Sequence, residues 1–400
     1  MRRTLTIVAI VIVIVGIGVA VYFYFFAKTA GIVVAPGTGT TLPVAGQNTT
    51  PVTGVPTATT TLLNGSTGIP PRLVKISTGP IVPGEAVVDV PAQNASSSPD
   101  VAVYYIERQS GNIFHYLTRA GSITRTSNRT VPGIEAASWL PDASVAFVRY
   151  FSGADFSTIN TYALLANGSG GFFLSQDLSD IAVSSTSVLT LASGVNGSAA
   201  SIAHTDGAHA SEIFTTPLSS LRISFAGGTH YLAFTKPSAT LSGDAFLVDT
   251  AGSFSRVAGP LNGLVALASR SGKWVLVSYM LNGVMHMELI HTTTNEILPL
   301  PVVTIADKCV WAADESSIYC GVPINPSPNY AYPDDWYQGA VQFSDRIWKI
   351  DVSGRFAQLV LDFSKETNGS LDAEALAVDP FGTVLAFVNK TDGSLWSYQL

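Results

Sequence analysis

Beyond residue 72 the chain is written in short apolar runs separated by polar turns, with little of the 3.6-residue period of an amphipathic helix. The most apolar runs are DVAVYYIE, SVAFVRY, SVLTLAS, HYLAFTK, KWVLVSY, SIYCGV and TVLAFVN. Counted from Val101, Val145, Val188, Tyr231, Trp274, Ile318 and Val384, they recur at intervals of 44, 43, 43, 43, 44 and 66 residues. So regular a step marks a repeat architecture, in which each unit buries its apolar faces against its neighbours.

Each run follows another apolar segment across a tight polar turn, as in ASWLPDASVAF, ALASRSGKWVL, VWAADESSIYC and LAVDPFGTVLAF. Such turns between apolar runs are hairpin chemistry. A more alternating segment comes next (NIFHYLT, INTYALL, DAFLVDT, HMELIHT, RIWKIDV, SLWSYQL), and then usually a polar one such as SITRTS or RFAQLVL. Strands buried on both faces read as continuous apolar runs, whereas strands facing water on one side alternate. The pattern predicts an all-β chain, a seven-bladed β-propeller of four-stranded antiparallel blades. The last blade lacks a fourth strand of its own, and RLVKIS (Arg72–Ser77) is expected to supply it, pairing the N- and C-terminal strands. Two β-sandwich domains are the competing arrangement, which the uniform step disfavours.

Certain inner hairpins carry a further signal. Trp139-Leu140-Pro141-Asp142 precedes Val145-Ala146-Phe147, and Val378-Asp379-Pro380-Phe381-Gly382 precedes Leu385-Ala386-Phe387. Ser269–Gly272 followed by Trp274-Val275-Leu276 is a partial match. These residues resemble the W-S-P-D-G-x-x-[IVL]-A-[FY] pattern of the TolB-like and PD40 (WD40-like) propeller repeats, over about residues 82–400. The resemblance implies a propeller fold and carries no catalytic residue. The TolB family places a small α/β domain before its propeller, where this chain has a different leader.

That leader begins with Met1-Arg2-Arg3, then 24 uncharged residues from Thr4 to Ala27. At about 1.5 Å per residue the run reaches roughly 36 Å, enough to cross a bilayer with some tilt. Tyr22 to Phe26 would form an aromatic belt, and the arginines hold the N-terminus in the cytoplasm. Residues 1–30 are therefore expected to be a cytoplasmic tip and an uncleaved transmembrane anchor of a single-pass protein of the cell membrane, since the apolar core is longer than that of a signal peptide. Residues 31–71 hold 11 Thr, 7 Gly, 6 Pro and no charge, which predicts a flexible, strandless stalk. Residues 72–400 are then an extracytoplasmic head, in the periplasm or at the cell surface.

Charge refines this picture. The chain has 21 basic and 28 acidic residues, but residues 1–71 contain only Arg2, Arg3 and Lys28, leaving 18 against 28 in the head, a net of −10. An acidic head argues against nucleic acid as a partner, because binding it draws on clustered Lys and Arg. The six histidines are scattered, and no HExxH, G-x-S-x-G, P-loop or EF-hand loop is present, so neither a metal centre nor a catalytic set is predicted.

The long final interval places an insertion at about 321–345, between the second and third strands of blade six. Long loops in compact domains are usually functional or disordered, and the aromatic content of this one argues against disorder. Tyr330, Tyr332, Asp334, Asp335, Trp336 and Tyr337 are its candidate ligand-binding residues. Two readings stand. The aromatics offer a face to a protein or glycan at the channel mouth, with the aspartates giving hydrogen bonds or holding Ca²⁺. Alternatively the loop plugs the channel with its own aromatics. A binding or scaffold module in the cell envelope is the main functional expectation; a glycoside hydrolase or lyase using rim carboxylates is the alternative. Cys309 and Cys320 lie symmetrically about the turn at Asp314-Glu315, so they are expected to face each other across the hairpin as a disulfide, with two buried thiols as the alternative.

Overall fold

A computed structural model describes residues 60–62, 72–92, 99–131, 133–367 and 369–400. The predicted membrane segment and most of the predicted stalk lie outside these residues. No helix among the described residues is long and apolar enough to cross a membrane.

The regular structure among the described residues is almost entirely antiparallel β-sheet, laid down as meanders in which, Thr60–Leu62 and Leu73–Lys75 apart, strand order in space follows the chain. Each of the seven apolar runs is an interior strand: Asp100–Ile106, Val145–Ser152, Ser187–Gly194, His230–Thr235, Trp274–Leu281, Ser317–Pro323 and Val384–Asn389. Neighbouring side chains on a strand point to opposite faces. Ala146, Phe147 and Val148 are all 0% exposed, as are Val275, Leu276 and Val277, so both faces of these strands are covered. This explains why the runs do not alternate.

The cover comes from the adjacent sheet. One core joins Ile106 and Ile113 of the first sheet to Ile134, Val148 and Leu164 of the second. Another joins Phe147 and Ala163 to Ile181 and Val188. A third joins Leu189 and Ala200 to Ile223, Tyr231 and Ala233. The last sheet packs on the first through Val384, Ala386 and Leu395 against Val87, Val103 and Tyr116. That last sheet contains Leu73–Lys75 beside Ser394–Gln399, in the register Leu73↔Tyr398, Val74↔Ser397 and Lys75↔Trp396.

Three details depart from the sequence expectation. Two successive four-stranded meanders are fused into one seven-stranded sheet by the 15-residue strand Phe254–Ala268, which pairs with Ser242–Asp249 at one end and Trp274–Leu281 at the other. The predicted strandless stalk contains a strand, Thr60–Leu62, paired with Ser122–Arg125 on the outer edge of the first sheet. An outer strand leaves a ladder edge of unpaired amides and carbonyls, which a further strand can satisfy. The insertion holds a single helical turn, Asp334–Tyr337.

The inner turns show why their aspartates recur. Asp142 Oδ1 accepts from Ser144 N at 3.0 Å, Asp314 Oδ1 accepts from Ser316 N at 3.0 Å, and Asp379 Oδ1 accepts from Thr383 N at 2.6 Å. A short carboxylate that satisfies amides a few residues ahead fixes the turn. At the turn after Cys309–Trp311, the pairs Cys309↔Cys320, Val310↔Tyr319 and Trp311↔Ile318 face one another, and a disulfide joins the two cysteines. The double variant Cys309→Ser/Cys320→Ser should be less stable by up to about 3 kcal/mol, the loop-entropy value for so short a ring. Denaturant midpoints with and without reductant should show the same loss in the wild type and none in the variant.

Candidate functional site

The insertion turns its aromatics inward. Tyr332, Trp336 and Phe343 are buried in the same core as Leu264, Ile305 and Ala306. The Trp336 indole N–H donates to both oxygens of Asp372, at 3.2 and 3.0 Å, and the Phe343 amide donates to the same carboxylate at 2.9 Å. Lys308, fully buried, lies between Asp372 and Asp345, with its ammonium 2.8 Å from Asp345 and 4.8 Å from the centre of the Trp336 ring. Gly263, at φ +65, lets its strand approach the loop: a Cβ there would lie 2.9 Å from the Tyr332 carbonyl oxygen.

The rings of Tyr332 and Trp336 are thus turned into the core and do not form an exposed face. Tyr332 and Trp336 are covered because so much apolar area is more stable packed than wet. Tyr337 is half-buried and donates to Asp307 at 2.6 Å, a carboxylate that also pairs with Arg222 at 2.6 Å. Burial, and then the Asp307 charge, push the Tyr337 hydroxyl well above its ordinary range. Asp334 accepts from Ala239 N at 3.1 Å and Asp335 from Ala331 N at 2.7 Å, so both carboxylates hold backbone in place. No three His, Cys, Asp or Glu among the described residues are grouped to hold a metal ion. Of the six candidates only Tyr330 is exposed, beside Asn325, Ser327 and Gln342 on the wall of a 460 Å³ hollow.

A second cavity was not foreseen. About 450 Å³ in volume, it is lined by Glu85, Trp139, Trp311, Val378 and Pro380, with Arg270 at its edge. These residues come from the first strands and inner turns of five meanders that lie far apart in sequence. Gly84 brings Glu85 there: at φ +102 it sits so close to Ala137 that a Cβ would meet the carbonyl oxygen at 2.0 Å. The Trp139 indole N–H donates to Gly84 O at 3.0 Å, and the buried Trp311 indole nitrogen meets no hydrogen-bond partner. Burial, and then the Glu374 charge, push Glu85 well above the usual carboxylate range, against a weaker opposing pull from the nearby amides of Glu85 and Gly84. Trp139 belongs to the quoted hairpin motif, and Trp311 ends the equivalent strand, which was the only local hint of their convergence.

Two outcomes test the clamp beneath the insertion. Trp336→Ala should lower stability by about 3–5 kcal/mol, the usual loss for a buried large aromatic, read from urea unfolding. Asp345 is pushed up to about 6 by burial, reinforced by Asp372 and opposed by Lys308. The folded state therefore holds this proton over a range where the unfolded chain has released it. This contribution to stability is fully present below about pH 4, is lost as pH rises to about 6, and is level above that. The difference between wild type and Asp345→Asn should follow that course, by about 3 kcal/mol at most.

No protein family and no curated protein matches the chain by sequence. In fold it is similar to oligogalacturonate lyase from Vibrio parahaemolyticus, at 8% identity and a TM-score of 0.56, with 86% of this chain and 96% of that one covered. Looser likenesses run to the β-propeller domain of the trilobed protease from Pyrococcus furiosus (TM-score 0.49, 9% identity, 75% and 89% covered) and to TolB from Acinetobacter baumannii (0.43, 11%, 79% and 80%). Identities this low speak for architecture alone. With its antiparallel four-stranded units, each packed face to face on the next, the chain has the fold of a β-propeller.

Proposed function

We propose that the protein is a membrane-anchored binding or scaffold module of the cell envelope, related to the TolB-like and PD40 propellers, whose partner is a protein or glycan. On this reading the head is a seven-bladed propeller. The fused sheet counts as two blades sharing Phe254–Ala268, and the strand Leu73–Lys75 completes the last blade. Residues 4–27 anchor it as a single-pass segment with the N-terminus in the cytoplasm, and the head stands in the periplasm or at the cell surface.

The observation that carries the reading is the division of labour within the insertion. Its inner side is clamped by Lys308, Asp345, Asp372 and Trp336, while its outer side leaves Tyr330, Asn325 and Gln342 exposed around the 460 Å³ hollow. A tyrosine on a rigid base gives contact area at little conformational-entropy cost. A hydrolase or lyase would want two free carboxylates across a cleft. Glu374, whose charge acts on Glu85, is itself paired with Lys390 at 3.1 Å, so this pair does not favour the enzymatic reading.

The test is photocrosslinking of the full-length chain in its own membrane, with a photoreactive residue replacing Tyr330 in one variant and the fully exposed Val195 in another. A discrete protein or glycan adduct at 330 and none at 195 is expected. Equal labelling at both positions, or none at 330, would remove the reading.

A further inference from the structure

Among the described residues, most of the large apolar side chains left exposed lie at one end of the propeller. Phe151, Phe156, Val195, Leu241, Leu281 and Val284 are each between 47% and 100% exposed. All sit in or beside the connection from second to third strand in four successive meanders, those that contain Val145–Ser152, Ser187–Gly194, His230–Thr235 and Trp274–Leu281. Strands of the same rank run the same way around a propeller, so these connections emerge together at one end. At the turns of the other end, among the described residues, only Phe356 and Phe381 are large, apolar and exposed.

This placement runs against turn chemistry, which favours Gly, Asn, Asp and Ser at hairpin tips. Phe156 holds a φ of 53°, a conformation that is costly for a bulky side chain, and stays exposed there. Asn282-Gly283 is an ordinary two-residue turn, but the pair Leu281↔Val284 that brackets it is apolar and open to water. None of the six belongs to an inter-sheet core. Apolar groups gathered on one side of a molecule mark a contact surface.

Charge and spacing narrow the partner. The connections 153–157, 195–196, 236–241 and 282–283 contain only Asp155 and Lys236 as charged residues, one of each sign, so neither a basic nor an acidic macromolecule meets an opposing field there. The tips stand on separate hairpins of separate meanders. A protein interface closes around a continuous packed centre, whereas acyl chains accommodate apolar groups that stand apart. The entry of the chain into the head agrees with a bilayer. Thr60–Leu62 pairs antiparallel with the fourth strand Ser122–Arg125, as Thr60↔Thr124 and Leu62↔Ser122. A fourth strand runs in the same direction as a second strand, so Thr60 lies toward the end that carries the apolar tips. Residues 28–59 separate it from the uncharged apolar run 4–27.

We propose that this end of the head rests on a lipid bilayer, with the six tips at the level where headgroups meet acyl chains. The proposal rests on the reading of residues 4–27 as a membrane anchor and gives the head a second, reversible attachment of its own. The contact is apolar and not electrostatic, so it needs no anionic lipid. Because the tips occupy an arc of four meanders, the head leans on that arc, and the insertion with Tyr330 stays open to its partner.

The test uses the full-length chain in phosphatidylcholine vesicles whose lipids carry brominated acyl chains, which quench a fluorophore that enters the bilayer. Cys309 and Cys320 are held in a disulfide, so one introduced thiol can be labelled. Labels at Phe156→Cys, Leu241→Cys and Val284→Cys should each lose at least half of their emission, in molar salt as in dilute buffer, and a label at Phe381→Cys less than a tenth. A label at Gly16→Cys reports the anchor separately. Quenching at 16 with none at the tips overturns the docking and leaves the anchor; quenching at the tips with none at 16 does the reverse. Blue-shifted tip labels without quenching would mean that protein, such as a second copy, covers them, and would overturn the proposal, as would equal quenching at 381 or its loss in salt. The triple variant Phe156→Ser/Leu241→Ser/Val284→Ser should keep its thermal midpoint and quench a label at Leu281→Cys at least twofold less. Unchanged quenching there would also overturn the proposal.

Discussion

The constraint on which the rest depends is that the interior strands have two apolar faces. A sheet with one apolar face can rest on a single partner; strands such as Val145–Ser152 and Trp274–Leu281 need cover on both sides. Each sheet must therefore lie between two others, and the first and last must find each other. They do so through Val87, Val103 and Tyr116 against Val384, Ala386 and Leu395. First strands then converge toward one region, which is how Glu85, Trp139 and Trp311 come to line a single space. The cavity is a by-product of the burial requirement.

Lys308 acts on a smaller scale and against the same background. Its ammonium has left water entirely, a change that is unfavourable unless opposite charges and hydrogen bonds surround it. Asp345 opens the third strand of its sheet and Asp372 precedes the first strand of the next, so the ion group ties two sheets together. Asp372 also takes the Trp336 indole and the Phe343 amide. A pair of this kind contributes more to geometry than to net stability, and here the geometry is that of the insertion.

Much of the fold was legible because a repeat writes the same local pattern many times. The apolar runs, their turns and the facing cysteines are all matters of near neighbours, and each can be read off a stretch of a dozen residues. What escaped is non-local or mixed in its signal. Phe254–Ala268 contains Gly259-Pro260 and Asn262-Gly263, which read as breaks; the strand persists because Asn262 pairs with Ser242 on one side and Met280 on the other. Thr60–Leu62 finds its partner sixty residues away. The insertion was visible from its length and aromatic content, but the direction its rings face depends on Lys308 and Asp372, neither of which lies in it. Glu85 carried no local mark at all.

The sheet shared by Leu73–Lys75 and Ser394–Gln399 determines how the chain meets a pull applied at residue 72. Tension arriving through residue 72 passes directly into Ser394–Gln399, through the Leu73–Lys75 ladder, the Arg72 guanidinium on the Gln399 carbonyl at 2.9 Å and the Lys75–Asp392 ion pair. Leu73–Lys75 is an edge strand, so its few contacts take the force before any inner strand feels it. Mechanically the molecule has a clasp: the three-residue ladder and two cationic side chains meet the force first, and the Ile76 amide on the Leu395 carbonyl at 2.8 Å, with Ile76 seated in the inter-sheet core, backs them.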